Sequence, residues 1–186
     1  MPTVATSASA PVANHDGERK LGPHVAYLRG EWDRRDWRNV PGPFYGAETD
    51  SCWMGRLIAP DNVLYEDDYG SEVVFRQPRN PHEVHLVLSA AWNDPFGGYA
   101  CDGDDHWTAT LVREWWADRP RLVTWIRDLE RRWSASERDD ERDNALALRG
   151  YADYLHHGLE EYLRNYVFWL EHRRPPRPDE ALPDLK

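Results

Sequence analysis

A mainly helical α+β fold is what this sequence predicts: about five helices, a long one at the C-terminal end, and a small antiparallel β-sheet or hairpin near residues 53–76. Three observations carry that expectation. Leu148, Ala152, Leu155, Leu159, Leu163, Tyr166 and Leu170 recur at spacings of three and four, the period of one helix face. Asn62-Val63-Leu64-Tyr65-Glu66 and Glu72-Val73-Val74-Phe75-Arg76 hold β-branched and aromatic runs of the kind strands prefer, and Asp67-Asp68-Tyr69-Gly70-Ser71 between them supplies a turn. Asn80-Pro81-His82-Glu83 joins a capping asparagine, a proline suited to the first helical position and a glutamate at capping-box distance.

In chain order, residues 1–20 are small and polar and are expected as a disordered tail. Residues 21–174 are expected as a single globular domain, and 175–186 as a loose tail. Leu21 to Trp37 reads as a helix, with Val25, Leu28 and Trp32 as its apolar stripe and Gly30 weakening it. Val40-Pro41-Gly42-Pro43 ends it. Trp53 to Ala59 reads as a third strand beside the hairpin, and so small a sheet needs helices packed on it. The helix from Asn80 buries Val84, Leu88 and Ala91, with Val87 and Trp92 alongside, and stops at Asn93-Asp94-Pro95. Thr108 opens a helix to about Asp118. Pro120 starts another, with Leu122, Trp125, Ile126, Leu129 and Trp133 facing inward. Ser134 and Glu137 have capping-box spacing. The last helix runs from about Glu137 to Arg173 and contains Gly150 and Gly158, positions suited to close helix crossing or to a break. Pro175-Pro176 ends it.

A chain of 186 residues is one ordinary domain, long enough to bury a core without disulfides or metals. Its formal charge of −10 opposes nucleic-acid binding, which needs a basic footprint, and favours a basic partner. Ten tryptophans and nine tyrosines supply core, and some are expected at a binding surface. Arginine supplies nearly all of the basic residues, the bias a GC-rich bacterial genome imposes. The N-terminus lacks the basic and apolar regions of a signal peptide, and no stretch approaches the ~20 apolar residues of a membrane span. A cytoplasmic protein with Cys52 and Cys101 as thiols is therefore expected.

Two loops resemble each other. Pro41 to Trp53 and Asp94 to Trp107 each run through proline, phenylalanine, glycine, acidic residues, cysteine and tryptophan, and they hold both cysteines. A site is expected where they meet. The candidate binding residues are Phe44, Tyr45, Glu48, Asp50 and Trp53 on the first loop and Phe96, Tyr99, Asp102, Asp104, Asp105 and Trp107 on the second, with Glu66, Asp67 and Asp68 of the hairpin turn adding negative charge.

Catalytic and metal patterns fit these loops poorly. Counted from Asp102, the glycine of a calcium loop falls on Trp107 and its closing glutamate on Arg113. Zinc would have to draw on Cys52, Cys101 and His106, with no CxxC and no HExxH to support it. His82-Glu83-Val84-His85 has the wrong spacing. A cysteine nucleophile would be Cys101 with His106, without a family signature. No phosphate loop or nucleophile elbow is present. Arg34-Arg35-Asp36-Trp37-Arg38 is a basic and aromatic spot able to clamp an anion or to pair with nearby acids. His156-His157 sits on the long helix. No cofactor is expected.

The leading expectation is a non-enzymatic acidic binding protein whose partner is another protein, a basic one. An immunity-type inhibitor of a basic toxin or nuclease is its concrete form. The alternatives are an enzyme or metal- or small-ligand-binding protein with its site between the two loops, and a scaffold or assembly subunit docking through the long C-terminal helix.

Overall fold

In a computed structural model of the chain, residues 26–186 are described. The expected tail, 1–20, and the start of the expected first helix, 21–25, lie outside the described residues. The remainder of that first helix does not form. Arg29 N–H and Gly30 N–H donate to the carbonyls of Gly97 and Tyr99, both at 2.9 Å, and Leu28 bridges Gly98. Bonds to a distant loop have replaced the local i→i−4 set, in a stretch that Gly30 had already weakened. Trp32–Arg34 is a single 3-10 turn. Trp32 packs edge-on to Tyr45 and Trp107 at ring separations of 5.6 and 5.1 Å.

Strand β1 is Tyr45–Gly46. The expected third strand, Trp53 to Ala59, is instead a short helix, α1, Gly55–Ile58. Two tertiary contacts turn it. Trp53 takes a left-handed φ of 59°, and the buried Glu72 carboxylate accepts the Gly55 N–H at 2.7 Å. The hairpin forms as expected: β2, Val63–Tyr65, pairs antiparallel with β3, Glu72–Val74, in the register Val63 to Val74 and Tyr65 to Glu72.

Helix α2, Pro81–Asn93, starts as its sequence predicts, with the Asn80 side chain accepting the Glu83 N–H at 3.0 Å. Glu83 does not close a capping box on Asn80 N–H; its carboxylate accepts from Arg79. The fully buried positions are Glu83, Val87, Ala90 and Ala91, so the inner face is rotated from the Val84–Leu88 line and Trp92 lies against Tyr27 at the edge. Then come β4, Tyr99–Ala100, and the single-turn α3, Gly103–His106. Thr108 caps α4, Ala109–Ala117, and α5 is Arg119–Ser134, with Leu122, Ile126, Leu129 and Trp133 buried.

Ser134 does not open the next helix. It ends α5, and its hydroxyl donates to Glu130. Helix α6, Asp139–His156, begins with three carboxylates in its first turn, where the helix dipole favours them. The expected long helix is two: Gly158 takes φ 118°, and α7, Leu159–His172, follows.

The hairpin lies between two cores. Val63 and Val74 pack with Ala59, Val87, Ala90 and Ala91 of the α1–α2 side, while Leu64 and Val73 pack with α4–α7. That alternation is the two-residue period of a strand buried on both faces. The end of the chain, expected to be loose, is held: Arg164 donates to the carbonyls of Leu182 and Pro183, and Leu185 is buried. Among the described residues no helix is long and apolar enough to cross a membrane.

Candidate functional site

The two loops do meet. Tyr45 and Gly46 pair antiparallel with Ala100 and Tyr99, and Ala47 N–H donates to Gly98 O at 2.8 Å. Gly98 permits the approach, since a Cβ there would lie 2.3 Å from Glu48 O. Asp94 locks the junction: one oxygen accepts from Phe96 N–H and Asp50 N–H, the other from Gly98 N–H at 2.6 Å.

This meeting point is largely interior. Phe44, Tyr45, Tyr99 and Trp107, expected at a binding surface, are core side chains. Asp50 is buried and accepts the Cys52 N–H. Trp53 is half-buried and stacked on Tyr65, with ring centroids 4.6 Å apart. Asp102 accepts from Tyr45 OH at 2.8 Å and lies 3.2 Å from His106 Nε2. His106 in turn stacks on Trp32. Asp104 accepts from Tyr166 OH at 2.7 Å, and burial pushes its pKa up. Of the second-loop candidates, Phe96, Asp102 and Asp105 are exposed.

The cysteine chemistry is not assembled. The Asp50 carboxylate, hydrogen-bonded to the Cys52 thiol, pushes that thiol's pKa up; burial, then Asp102 and Asp104, does the same for Cys101. A nucleophilic thiol needs the opposite shift. Cys52, Cys101 and His106 do not converge as metal ligands; among the described residues the group whose oxygens do converge is Glu66, Asp67 and Asp68. Those three are already engaged. Glu66 is buried and accepts the N–H groups of Asp68, Tyr69 and Ser71, stapling its own turn. Asp67 accepts from Trp125 Nε1 and Arg132, and Asp68 accepts from Arg38 at 2.6 Å.

A cleft of about 880 Å³ lies where both loops, the hairpin turn and the Arg34–Arg38 strip come together. Ala47, Glu48 and Thr49 of the first loop line it, with Pro95 and Phe96 of the second and Glu66, Asp68, Tyr69 and Ser71 of the turn. Phe96 is 66% exposed and Tyr69 85%. Arg38, at its base, is buried among Asp36, Asp68 and Glu66 and packs over the rings of Trp37 and Trp125. Arg34 pairs with Glu48, and Arg29 donates to Phe96 O at 3.0 Å. Arg34 and Arg38 are thus matched by acids within the cleft, and Phe96 and Tyr69 are its exposed aromatic groups.

Three buried amides that build this region carry no sequence signal beyond being polar. Asn39 accepts from Gly46 N–H and Val74 N–H and donates to Gly46 O. Gln77 does the same for the backbone at Val40 and Phe44. Asn144 of α6 makes both backbone bonds of Tyr65, taking the place of a neighbouring strand. Apart from Asp36 O, which Asn39 also reaches 3 residues away, their backbone partners lie between 7 and 79 residues away, beyond any local pattern. Comparison of the chain with family models, with curated proteins and with solved structures finds no match to any of them.

Proposed function

We propose that this chain is a non-enzymatic binding protein whose partner, a basic protein, docks on the rim of the 880 Å³ cleft. One observation carries this reading: Phe96 and Tyr69, from two separate loops, stand exposed on one concavity. Exposed aromatics gathered at a cleft are typical binding anchors. The chain's charge of −10 and the exposed Glu48 and Asp68 beside the anchors suit a basic surface and speed its approach. An immunity-type inhibitor of a toxin or nuclease is the concrete form that matches this chemistry.

The enzyme reading has less support, because the pKa of both thiols is pushed up and, Asp105 apart, the acids of the loops accept hydrogen bonds within the fold. The scaffold reading loses its long docking helix to the break at Gly158, and α7 buries Leu159, Leu163, Tyr166, Val167 and Phe168.

The test begins with a partner cross-linked through a photoreactive residue at position 96 in source cells, then purified for kinetics. Phe96→Ala and Tyr69→Ala are each expected to weaken binding about tenfold or more, and the association rate of the parent should fall as salt rises. A partner that binds the double variant as tightly as the parent overturns this placement.

A further inference from the structure

The carboxyl group of Glu72 is closed over by the chain at the end of the first loop. Its Oε1 accepts the Gly55 N–H at 2.7 Å, and a Cβ on Gly55 would lie 2.3 Å from its Oε2. The Glu72 N–H donates to Thr49 Oγ1 at 2.7 Å. Residues 51–55 depend on this contact. The Cys52 N–H turns back to Asp50, and the carbonyls of Met54 and Gly55 serve α1. Among the described residues, the bond from Gly55 N–H to Glu72 is therefore the one backbone hydrogen bond tying 51–55 to a distant part of the chain. The Trp53 ring, stacked on Tyr65, adds to the hold. Trp53 also keeps a left-handed φ of 59°, a sparsely populated conformation that persists only while surrounding contacts sustain it. Ser51, Cys52 and Met54 are exposed.

The carboxyl under this cover has acids for neighbours and no base. Asp94 and Asp50 of the two loops face it, Tyr99 of β4 is bonded to it, and Tyr65 of β2 and Cys52 are within electrostatic reach. Burial keeps the Tyr99 phenol neutral, so it donates to the carboxyl. Among the described residues no arginine, lysine or histidine pairs with Glu72, Asp50 or Asp94. Arg56, beside Gly55 in the chain, gives its guanidinium to Asp143 and to Pro60 O. Burial, opposed by the bonds from Tyr99 and Gly55 and reinforced by Asp94 and Asp50, moves the Glu72 pKa from 4.5 to about 7. A buried carboxylate without a base is unfavourable, and water reaches this one only if its cover moves.

We propose that Glu72 is a proton-operated latch on residues 51–55: the protonated carboxyl keeps the segment closed through the Gly55 N–H, and the ionised carboxylate opens it to water. The closed form prefers the protonated acid. Closure is therefore fully favoured below pH 4.5, weakens as pH rises, and levels off once pH passes 7. The segment suits local opening, having one distant backbone bond, an exposed chain and a strained residue. Gly55 makes the seal possible, since any larger residue would strike the carboxyl. Glu48 and Thr49, which lead into this segment, line the 880 Å³ cleft, so opening reaches that cleft. The latch does not rest on the partner proposed above.

Hydrogen exchange of single backbone amides in the full ¹⁵N-labelled chain provides the test, each rate divided by its intrinsic rate at the same pH. From pH 5.5 to 8.5 the opening of the Gly55 amide is expected to rise about tenfold or more, levelling off above pH 7. It should stay far more frequent than the opening of the Tyr65 amide, which Asn144 holds in the hairpin at 2.9 Å. In Glu72→Gln the opening at Gly55 should no longer depend on pH. Asp50→Asn removes one facing charge and keeps an oxygen for the Cys52 N–H, so the rise should be smaller. A Gly55 opening that is flat across this range overturns the proposal, as does one no more frequent than that of Tyr65, which means global unfolding alone. A rise of the parent's size in Glu72→Gln also overturns it. If Glu72→Gln fails to fold by near-ultraviolet circular dichroism, Asp50→Asn decides alone, and a rise as large as the parent's overturns the latch.

Discussion

Glu72 concentrates the residue-scale physics of this protein. Its side chain is buried beneath both loops, accepting from Tyr99 OH and from Gly55 N–H. Burial, with Asp94 and Asp50 nearby, pushes its pKa from 4.5 to about 7. The folded state therefore prefers the protonated acid. Its stabilisation is fully present below pH 4.5 and is lost as pH rises through 7, about 3 kcal/mol at the limit. Urea unfolding at pH 5 and pH 8 should show the parent losing stability relative to Glu72→Gln as pH rises; parallel curves would contradict the assignment. None of this was legible from residues 72 and 99. In the sequence Glu72 begins a strand, and Tyr99 belongs to a supposed binding loop. The acid and the phenol are 27 residues apart, and only folding desolvates them together. The exposed pair was half-legible: Phe96 stood among the expected anchors, while Tyr69 read only as a turn residue.

At the scale of elements, local signals translated well and boundaries set by long-range contacts did not. Helices α2 and α4 begin where Asn80 and Thr108 can cap them, because a cap is satisfied within three residues. The hairpin formed because its two runs and its turn are contiguous. The unbroken apolar line from Leu148 to Leu170 hid the break between α6 and α7, since both helices present that line to one core. The two glycines on the line now predict opposite signs. Gly150 is helical with open space at its Cβ position, so Gly150→Ala should stabilise by about 0.5–1 kcal/mol. Gly158 holds φ 118°, so Gly158→Ala should destabilise by about 1–3 kcal/mol. Urea midpoints of the two variants check this, and shifts of the same sign would be inconsistent with a break at Gly158.

For the whole molecule, the hairpin joins two apolar clusters, and the chain's end closes one of them. Leu185 is 3% exposed and belongs to the larger core. Arg113 and Arg164 hold the backbone around it through the carbonyls of Leu182, Pro183 and Asp184. Leu185→Ala should cost about 2–3 kcal/mol, read as a lower urea midpoint with an unchanged denaturant slope. A loose tail would show no change. The net charge of −10 acts at this scale too, but not uniformly: arginines are gathered at the cleft, and the acids there are mostly paired.

The sequence by itself determined the fold class, the hairpin, most helix starts and the contact between two cysteine-bearing loops. Periodicity, caps and turn residues act over a few positions and held where no distant contact competed with them. Only the tertiary structure decided which aromatic residues of those loops are core and which are surface. It also decided that residues 26–37 form no α-helix and hold the 3-10 turn Trp32–Arg34, and that the expected strand after Trp53 is a helical turn. It left the Trp107 indole N–H buried without an acceptor among the described residues. Each of these outcomes depends on desolvation and on hydrogen bonds between distant segments, and neither has a free energy until the chain has closed on itself.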